Sequence, residues 1–277
     1  MSNGNAVCPT ATAAQARVML YQPSQRPKMR AGEWMGTSFG RCKVHGRLGQ
    51  RHADVVEAIL YCAEKRRDVS DGGVELLVDP ARVRKSLSDS RYSHGRLWAL
   101  LRECMAAVLE IEMPKFRALG HLIDQVVESP MTRPNPLTGG KRHLWRVRLG
   151  SALVLLLQHD LGLYYDPRPV ARLRHGISQA AARHVLSHKK EPSGGWRIDT
   201  VIAAVSGSLG SQAARDARFR LREDGDALAA LGVILEGDRV RKKTKEEVRA
   251  LHSGPKALHS GPKALHTGPV RCTPARA

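Results

Sequence analysis

The chain has 277 residues, with 45 Lys+Arg against 26 Asp+Glu and a formal net charge of +19. Hydrophobic residues make up 42% and aromatics only 4%, so a packed core must rest mainly on Leu, Val and Ala. This composition excludes a disulfide-stapled miniature, a collagen-like chain and a wholly disordered polymer, and so large a basic surplus points to a polyanionic partner, nucleic acid first.

The five cysteines, Cys8, Cys42, Cys62, Cys104 and Cys272, form no CxxC pair. Their odd number and wide spacing argue against a disulfide framework and against a structural zinc site. Cys62 and Cys104 fall in apolar helical patterns and read as buried thiols. The first residues do not have the form of a signal peptide, and the most apolar run, 152–157, is too short to span a membrane. The sequence therefore reads as a soluble cytoplasmic protein with no membrane partner.

Residues 1–47 are polar and rich in Gly, Pro and Arg, and read as a flexible basic arm, with a short ordered segment around Trp34 within 29–39. From 48 to about 66, Leu48, His52, Val55, Val56, Ile59, Leu60 and Ala63 share one face and predict a helix. A turn at Asp71-Gly72-Gly73 and a strand at 74–78 follow. Asp79-Pro80 then sets an N-cap and a first-turn proline for a short helix to about Leu87. Ser93 caps a helix to about 108 that turns Leu97, Trp98, Leu100, Leu101, Cys104, Met105 and Val108 inward. Strands are expected at 109–113, 121–127 and 143–149, with 129–141 as a long Pro/Gly-rich loop.

The second half repeats this order. Helices are expected at 151–159, 170–173, 177–187, 200–205 and 211–223, with a strand at 163–165 and a break at 206–210. A hairpin follows, with strands 232–235 and 239–242 around Gly237-Asp238. Beyond about 250, LHSGPKA recurs with a period of seven, but Gly and Pro in every unit oppose helix, and the segment reads as a disordered tail. The expected fold is therefore α/β of the α+β kind, two tandem winged helix-turn-helix domains with small β-ribbons. They span 48–149 and 150–249, between an arm (1–47) and a repeat-containing tail (250–277).

Signatures of chemistry are weak. His184 and His188 lie at i,i+4 on a helix but lack the glutamate of HExxH, and read as surface or phosphate-facing residues. The segments 36–40 and 207–211 lack the spacing of nucleotide-binding loops. Tyr164-Tyr165 has no histidine cluster to make a nicking site and reads as strand packing. The chain is expected to be no enzyme, with no catalytic residue, metal or cofactor.

The strongest constellation is positive charge at helical spacing. On 211–223, Ser211, Arg215, Arg218 and Arg222 form one stripe, opposite Ala214, Ala217 and Leu221. In a major groove, Ser211, Gln212 and Arg215 would read base edges, with Arg on guanine and Gln on adenine. Arg218, Arg220 and Arg222 would contact phosphates, as would a basic wing of Arg239, Arg241, Lys242, Lys243 and Lys245. In the first half, Arg82, Arg84 and Lys85 lie on the short helix, His94 and Arg96 would approach bases, and Arg91 and Ser93 would hold phosphate. Residues 141–220 carry 14 Lys+Arg against 5 Asp+Glu, so the charge concentrates in the second half. The exposed aromatics of a single-strand binder are missing from the pattern.

These residues resemble the plasmid replication initiators, Rep proteins of two related winged-helix domains, most closely the small initiators of broad-host-range plasmids. The resemblance is carried by Ser178 to Leu186, Ile198-Asp199-Thr200, residues 215–221, Leu231-Gly232 and the basic strand 239–243, with a weaker match over 76–111 that includes Leu97-Trp98. It covers about 170 residues. It implies sequence-specific binding of double-stranded DNA at origin repeats, opening of a nearby AT-rich tract and contact with a host helicase or initiator protein. It also implies self-association through the N-terminal domain and repression of the protein's own gene. The alternatives are a winged-helix transcriptional repressor and a basic structural or adaptor protein that meets an acidic partner.

Overall fold

The structure, a computed structural model, describes residues 7–87, 92–135 and 139–243. The described residues up to Lys242 form one compact unit, and the expected tail at 250–277 lies outside the described residues.

The segment expected as a flexible arm is instead folded. β1 (Ala11–Thr12) leads into α1 (Ala13–Arg17), and the Thr12 hydroxyl accepts the Gln15 N–H while the Gln15 side chain accepts the Thr12 N–H. β2 (Arg30–Thr37) and β3 (Gly40–Gly46) form a hairpin. In β3, Cys42 and Val44 are fully buried between outward Arg41, Lys43 and His45, a two-residue alternation that roots the segment in the core. Val18, Leu20 and Tyr21 are buried beside it.

α2 (Gln50–Cys62) ends short of the expected 66 and is buried on almost every side. The chain continues as β4 (Ala63–Asp68), which pairs with β5 (Val74–Val78). Cross-strand pairing of Arg67 with Glu75 at 2.5 Å favours the ladder over the helical propensity of Glu64–Arg67. α3 (Pro80–Leu87) starts where Asp79-Pro80 predicts, with the Asp79 carboxylate accepting the Ala81 N–H at 2.9 Å. α4 (His94–Ala106) is capped by the Ser93 hydroxyl, which accepts the Arg96 N–H at 3.2 Å.

β6 (Val108–Met113) and β7 (Phe116–Gly120) extend the first hairpin into a four-stranded antiparallel sheet ordered β2-β3-β6-β7. Its outer face is register-matched in charge: Arg41 lies opposite Glu112 at 2.8 Å and Lys43 opposite Glu110. β8 (Ile123–Pro134) and β9 (Lys141–Leu149) form a long ribbon through most of the region expected as a loop. The irregularity between Glu128 and Thr132 accommodates Pro130, which has no ladder donor.

The remaining elements are α5 (Ser151–His159), β10 (Gly162–Leu163), α6 (Arg168–Ala171), α7 (Gly176–Ser187), β11 (Trp196–Arg197), α8 (Ile198–Ser206), α9 (Ser211–Glu223), α10 (Gly225–Ala230), β12 (Val233–Glu236) and β13 (Arg239–Lys242). α9 and the β12–β13 hairpin lie where the sequence places them, while β11 and α10 are additions. Two hydrophobic clusters result. The first runs from Cys8 to Leu156 and the second from Val170 to Val240. α5, expected to open the second domain, buries Ala152, Leu153, Val154 and Leu156 in the first cluster.

The two halves share a topology that the sequence shows only as an element order. The series α2, β5, α3, α4, β8, β9 recurs as α7, β11, α8, α9, β12, β13. In each sheet the last strand pairs between the other two, β5-β9-β8 and β11-β13-β12, all antiparallel. The first half differs by the added edge strand β4 and by β6–β7, inserted between α4 and its ribbon. The fold is thus mixed α and β, of the α+β kind, and no helix among the described residues is long and apolar enough to cross a membrane.

Candidate nucleic-acid interface

α8 buries Ile198, Val201, Ile202 and Val205 and ends at Gly207, whose φ of 72° lies in the left-handed region that favours glycine. After the break, α9 buries only Ala217 and Leu221, so most of its surface is solvated. The Arg218 guanidinium reaches back to α8 and donates to both Asp199 carboxylate oxygens at 2.6 and 2.8 Å. That pair holds the Asp199 carboxyl below its usual range and bridges the two helices. Arg218, expected on phosphate, is therefore engaged within the fold. At the other end of α9, Asp224 accepts the Arg174 and His175 N–H groups, and Glu223 pairs with His175 at 2.9 Å.

The outward face carries Ser211, Gln212, Arg215, Phe219, Arg220 and Arg222, all exposed. The Gln212 amide donates to Asp216 one turn along at 2.9 Å. The Arg215, Arg220 and Arg222 side chains have no ion-pair partner among the described residues. Phe219, 63% exposed, stands in the stripe where the sequence reading put Arg218.

The hairpin differs from the expected basic wing. Its tip is Gly237-Asp238, and the basic residues lie on β13, the middle strand of its sheet. Arg239 donates to the Gly194 carbonyl at 3.0 Å, and Arg241 forks onto Glu236 at 2.6 and 2.8 Å. Lys242 turns inward: its ammonium donates to the His188 carbonyl at 2.9 Å, its N–H donates to Glu191, and burial lowers its pKa. A middle strand has neighbours on both sides, so its long cations find acceptors in the fold. Lys243 follows β13, and Lys245 lies outside the described residues.

The inward Lys242 belongs to a cationic cap on α7. Arg17 donates from Nε to the Ser187 hydroxyl at 2.9 Å and also reaches the Ser187 carbonyl. Cations at a helix C-terminus satisfy its last carbonyls and complement its dipole. His184 and His188 sit within this cap, 4.7 Å apart by ring centroid, with His188 wedged edge-on between Phe39 and Trp196. His184 is 5% exposed, so neither surface display nor phosphate contact suits it. Burial, reinforced by Arg17 and in turn by His188 or Lys242, pushes both imidazoles down to about 4. In the unfolded chain they bind protons near pH 6.5, so the unfolded state is favoured as pH falls from 6.5 toward 4. The unfolding free energy should decline between pH 6.5 and 5, and His184→Gln should flatten that slope, which urea titrations at each pH will measure.

The first half offers a more occupied surface. Ser93 and His94 are exposed, but the His94 Nε2 accepts the Trp98 indole N–H at 2.8 Å and its ring lies 6.1 Å from that of Trp145. Arg96 is half-buried, with Nε enclosed, and Arg91 lies outside the described residues. What sequence reasoning missed is the extension of the β8–β9 ribbon into the segment expected as a loop. Arg133, Lys141, His143 and Arg146 are exposed along it. Near its turn, Arg142 forks onto Asp79 at 2.6 and 3.1 Å, while Arg133, opposite it, pairs with Glu64 at 2.7 Å. A pocket lined by Arg84, His94, Asn135, Arg142, His143 and Trp145 opens between α3, α4 and this ribbon.

The halves are joined by buried charge. Arg183 of α7 donates to Glu57 at 2.7 and 2.9 Å, to Asp54 at 2.6 Å and to the Gln50 side chain at 2.7 Å, all on α2. The Tyr92 hydroxyl donates to Asp54 at 2.6 Å, and the Gln179 amide donates to the same carboxylate at 3.2 Å. Burial opposes the charge on Arg183, but the Glu57 and Asp54 carboxylates outweigh it and hold its pKa well above the usual value.

No family model matches the sequence, and no curated protein is similar to it. Among solved structures, the crystal structure of RctB domains 2-3 is similar, at 10% sequence identity and a TM-score of 0.49, covering 86% of this chain and 99% of that one.

Proposed function

We propose that the chain is a replication initiator that binds double-stranded DNA at repeated origin sites, using two winged helix-turn-helix domains. The observation that carries DNA binding is α9. It is anchored by two buried residues and by the Arg218–Asp199 fork, and it presents Arg215, Arg220 and Arg222 without ion-pair partners among the described residues. A helix held this way at the end of a helix-break-helix can enter a major groove without first giving up salt bridges. The helix, strand, helix, helix, hairpin order in both halves supports a winged-helix domain in each.

On this reading α9 supplies sequence preference and phosphate contact, with the exposed Arg239 at the hairpin adding a backbone contact. The first domain contributes through Arg84, His94 and the exposed cations of the β8–β9 ribbon. The origin role, recruitment of a host helicase and self-association through the first domain rest on the resemblance to plasmid initiators. Binding needs no catalysis by the chain.

Footprinting on the DNA that flanks its own gene, with probing of nearby bases for strand opening, tests the proposal. Protected repeats beside an opened AT-rich tract are the expected result. Protection of a lone promoter palindrome would make the protein a repressor. Salt-titrated binding without sequence preference would overturn the reading.

A further inference from the structure

Helical geometry sets Phe219 roughly 200° around α9 from both Ala217 and Leu221, the two residues that root the helix. It therefore sits at the centre of the outward face, one turn from Arg215 and nearly one turn from Arg222. It is 63% exposed on a helix whose other outward residues are polar, charged or alanine. No ring contact or cation–π contact among the described residues covers it. The surrounding arginines make the face cationic, which disfavours another basic copy of this chain and favours a polyanion with one apolar feature at matching depth.

The major groove of duplex DNA has such a feature, the C5 methyl group of thymine, the apolar contact by which proteins distinguish a T·A pair there. We infer that Phe219 is a specificity residue that packs on a thymine methyl, one helical turn from the base pair met by Arg215. This rests on the duplex-DNA reading above and adds what α9 reads: a site that combines guanine contact by Arg215 with methyl contact by Phe219.

Binding sites selected from random duplexes by the full chain supply the probe. Each thymine of the selected site is then replaced singly by deoxyuridine, which pairs identically and lacks only the methyl group. At one or two positions the parent should lose about 3- to 10-fold in affinity, the scale of one buried methyl. Phe219→Ala should bind the thymine and uracil duplexes equally, with an unchanged salt slope, and Phe219→Leu should keep part of the discrimination. Because the ring is 63% exposed and lies outside the second hydrophobic cluster, both variants should melt close to the parent.

The inference is overturned if every uracil replacement is neutral for the parent, or if methyl dependence persists undiminished in Phe219→Ala. A change in sedimenting mass of Phe219→Ala without methyl dependence would assign the ring to a protein contact and equally overturn it. Selection of no preferred site at all would remove the DNA reading and this inference together, whereas a preferred site indifferent to methyl groups removes only the inference.

Discussion

Replacing Arg183 with alanine is expected to destabilise the fold by about 3–5 kcal/mol, the range for breaking a buried ion pair from one side. The guanidinium is 4% exposed, and the carboxylates it serves, Asp54 and Glu57, are 1% and 4% exposed. Without it, two carboxylates face each other in the interior. The Tyr92 hydroxyl and the Gln179 amide remain for Asp54, but Glu57 loses both of its guanidinium bonds. For a chain of this size the midpoint of thermal unfolding should drop by roughly 6–20 °C. The loss should be partly reversed by neutralising the stranded acids, so Arg183→Met with Asp54→Asn and Glu57→Gln should melt well above Arg183→Ala. A midpoint within 2 °C of the parent for Arg183→Ala would mean that the network does not hold the halves together.

That network was invisible as such in the sequence. Ser178 to Leu186 resembles an initiator segment, yet nothing in a single chain says that Arg183 crosses to α2, because the contact spans 126 residues to Glu57. The same holds for His52, counted on the apolar face of its helix: its Nδ1 accepts the Gly49 N–H and its Nε2 meets Glu103. Elements set by local chemistry were legible. Asp79-Pro80 and Ser93 start helices through their own side chains, and α9 begins and ends where charge periodicity and the preceding glycines place it. Elements set by distant pairing were not. β4 looked helical until β5 paired with it, and β3 takes its second row of hydrogen bonds and its charge partners from the distant β6.

The candidate site divides along the same line. Exposure of Arg215 and Arg222 follows from helical phase, which the sequence gives directly. Whether an arginine is available or occupied depends on an acid brought near by the fold, and Asp199, Glu236 and Asp79 occupy Arg218, Arg241 and Arg142. Phe219 was overlooked because an aromatic on an amphipathic helix is ordinarily assigned to the core. The phase that puts Ala217 and Leu221 inside puts it outside.

Arg215→Ala should therefore leave the fold intact and change what the protein reads. Its side chain is exposed and has no ion-pair partner among the described residues, so its removal should shift thermal unfolding by no more than about 0.5 kcal/mol. A bidentate contact to guanine discriminates by about 1–3 kcal/mol, so the preference for the selected site over a variant lacking that guanine should fall by roughly 5- to 150-fold. Arg222→Ala provides the contrast. As a phosphate contact near the end of α9, it should weaken binding evenly across sequences and reduce the salt slope by about one counterion, with site preference retained. Affinities of both variants for matched and mismatched duplexes, measured across a salt series, separate these outcomes. If both variants lose preference alike, α9 does not lie in the groove with its N-terminal half toward the bases; if neither does, the sequence reader must lie in the first half, at His94 and the β8–β9 ribbon.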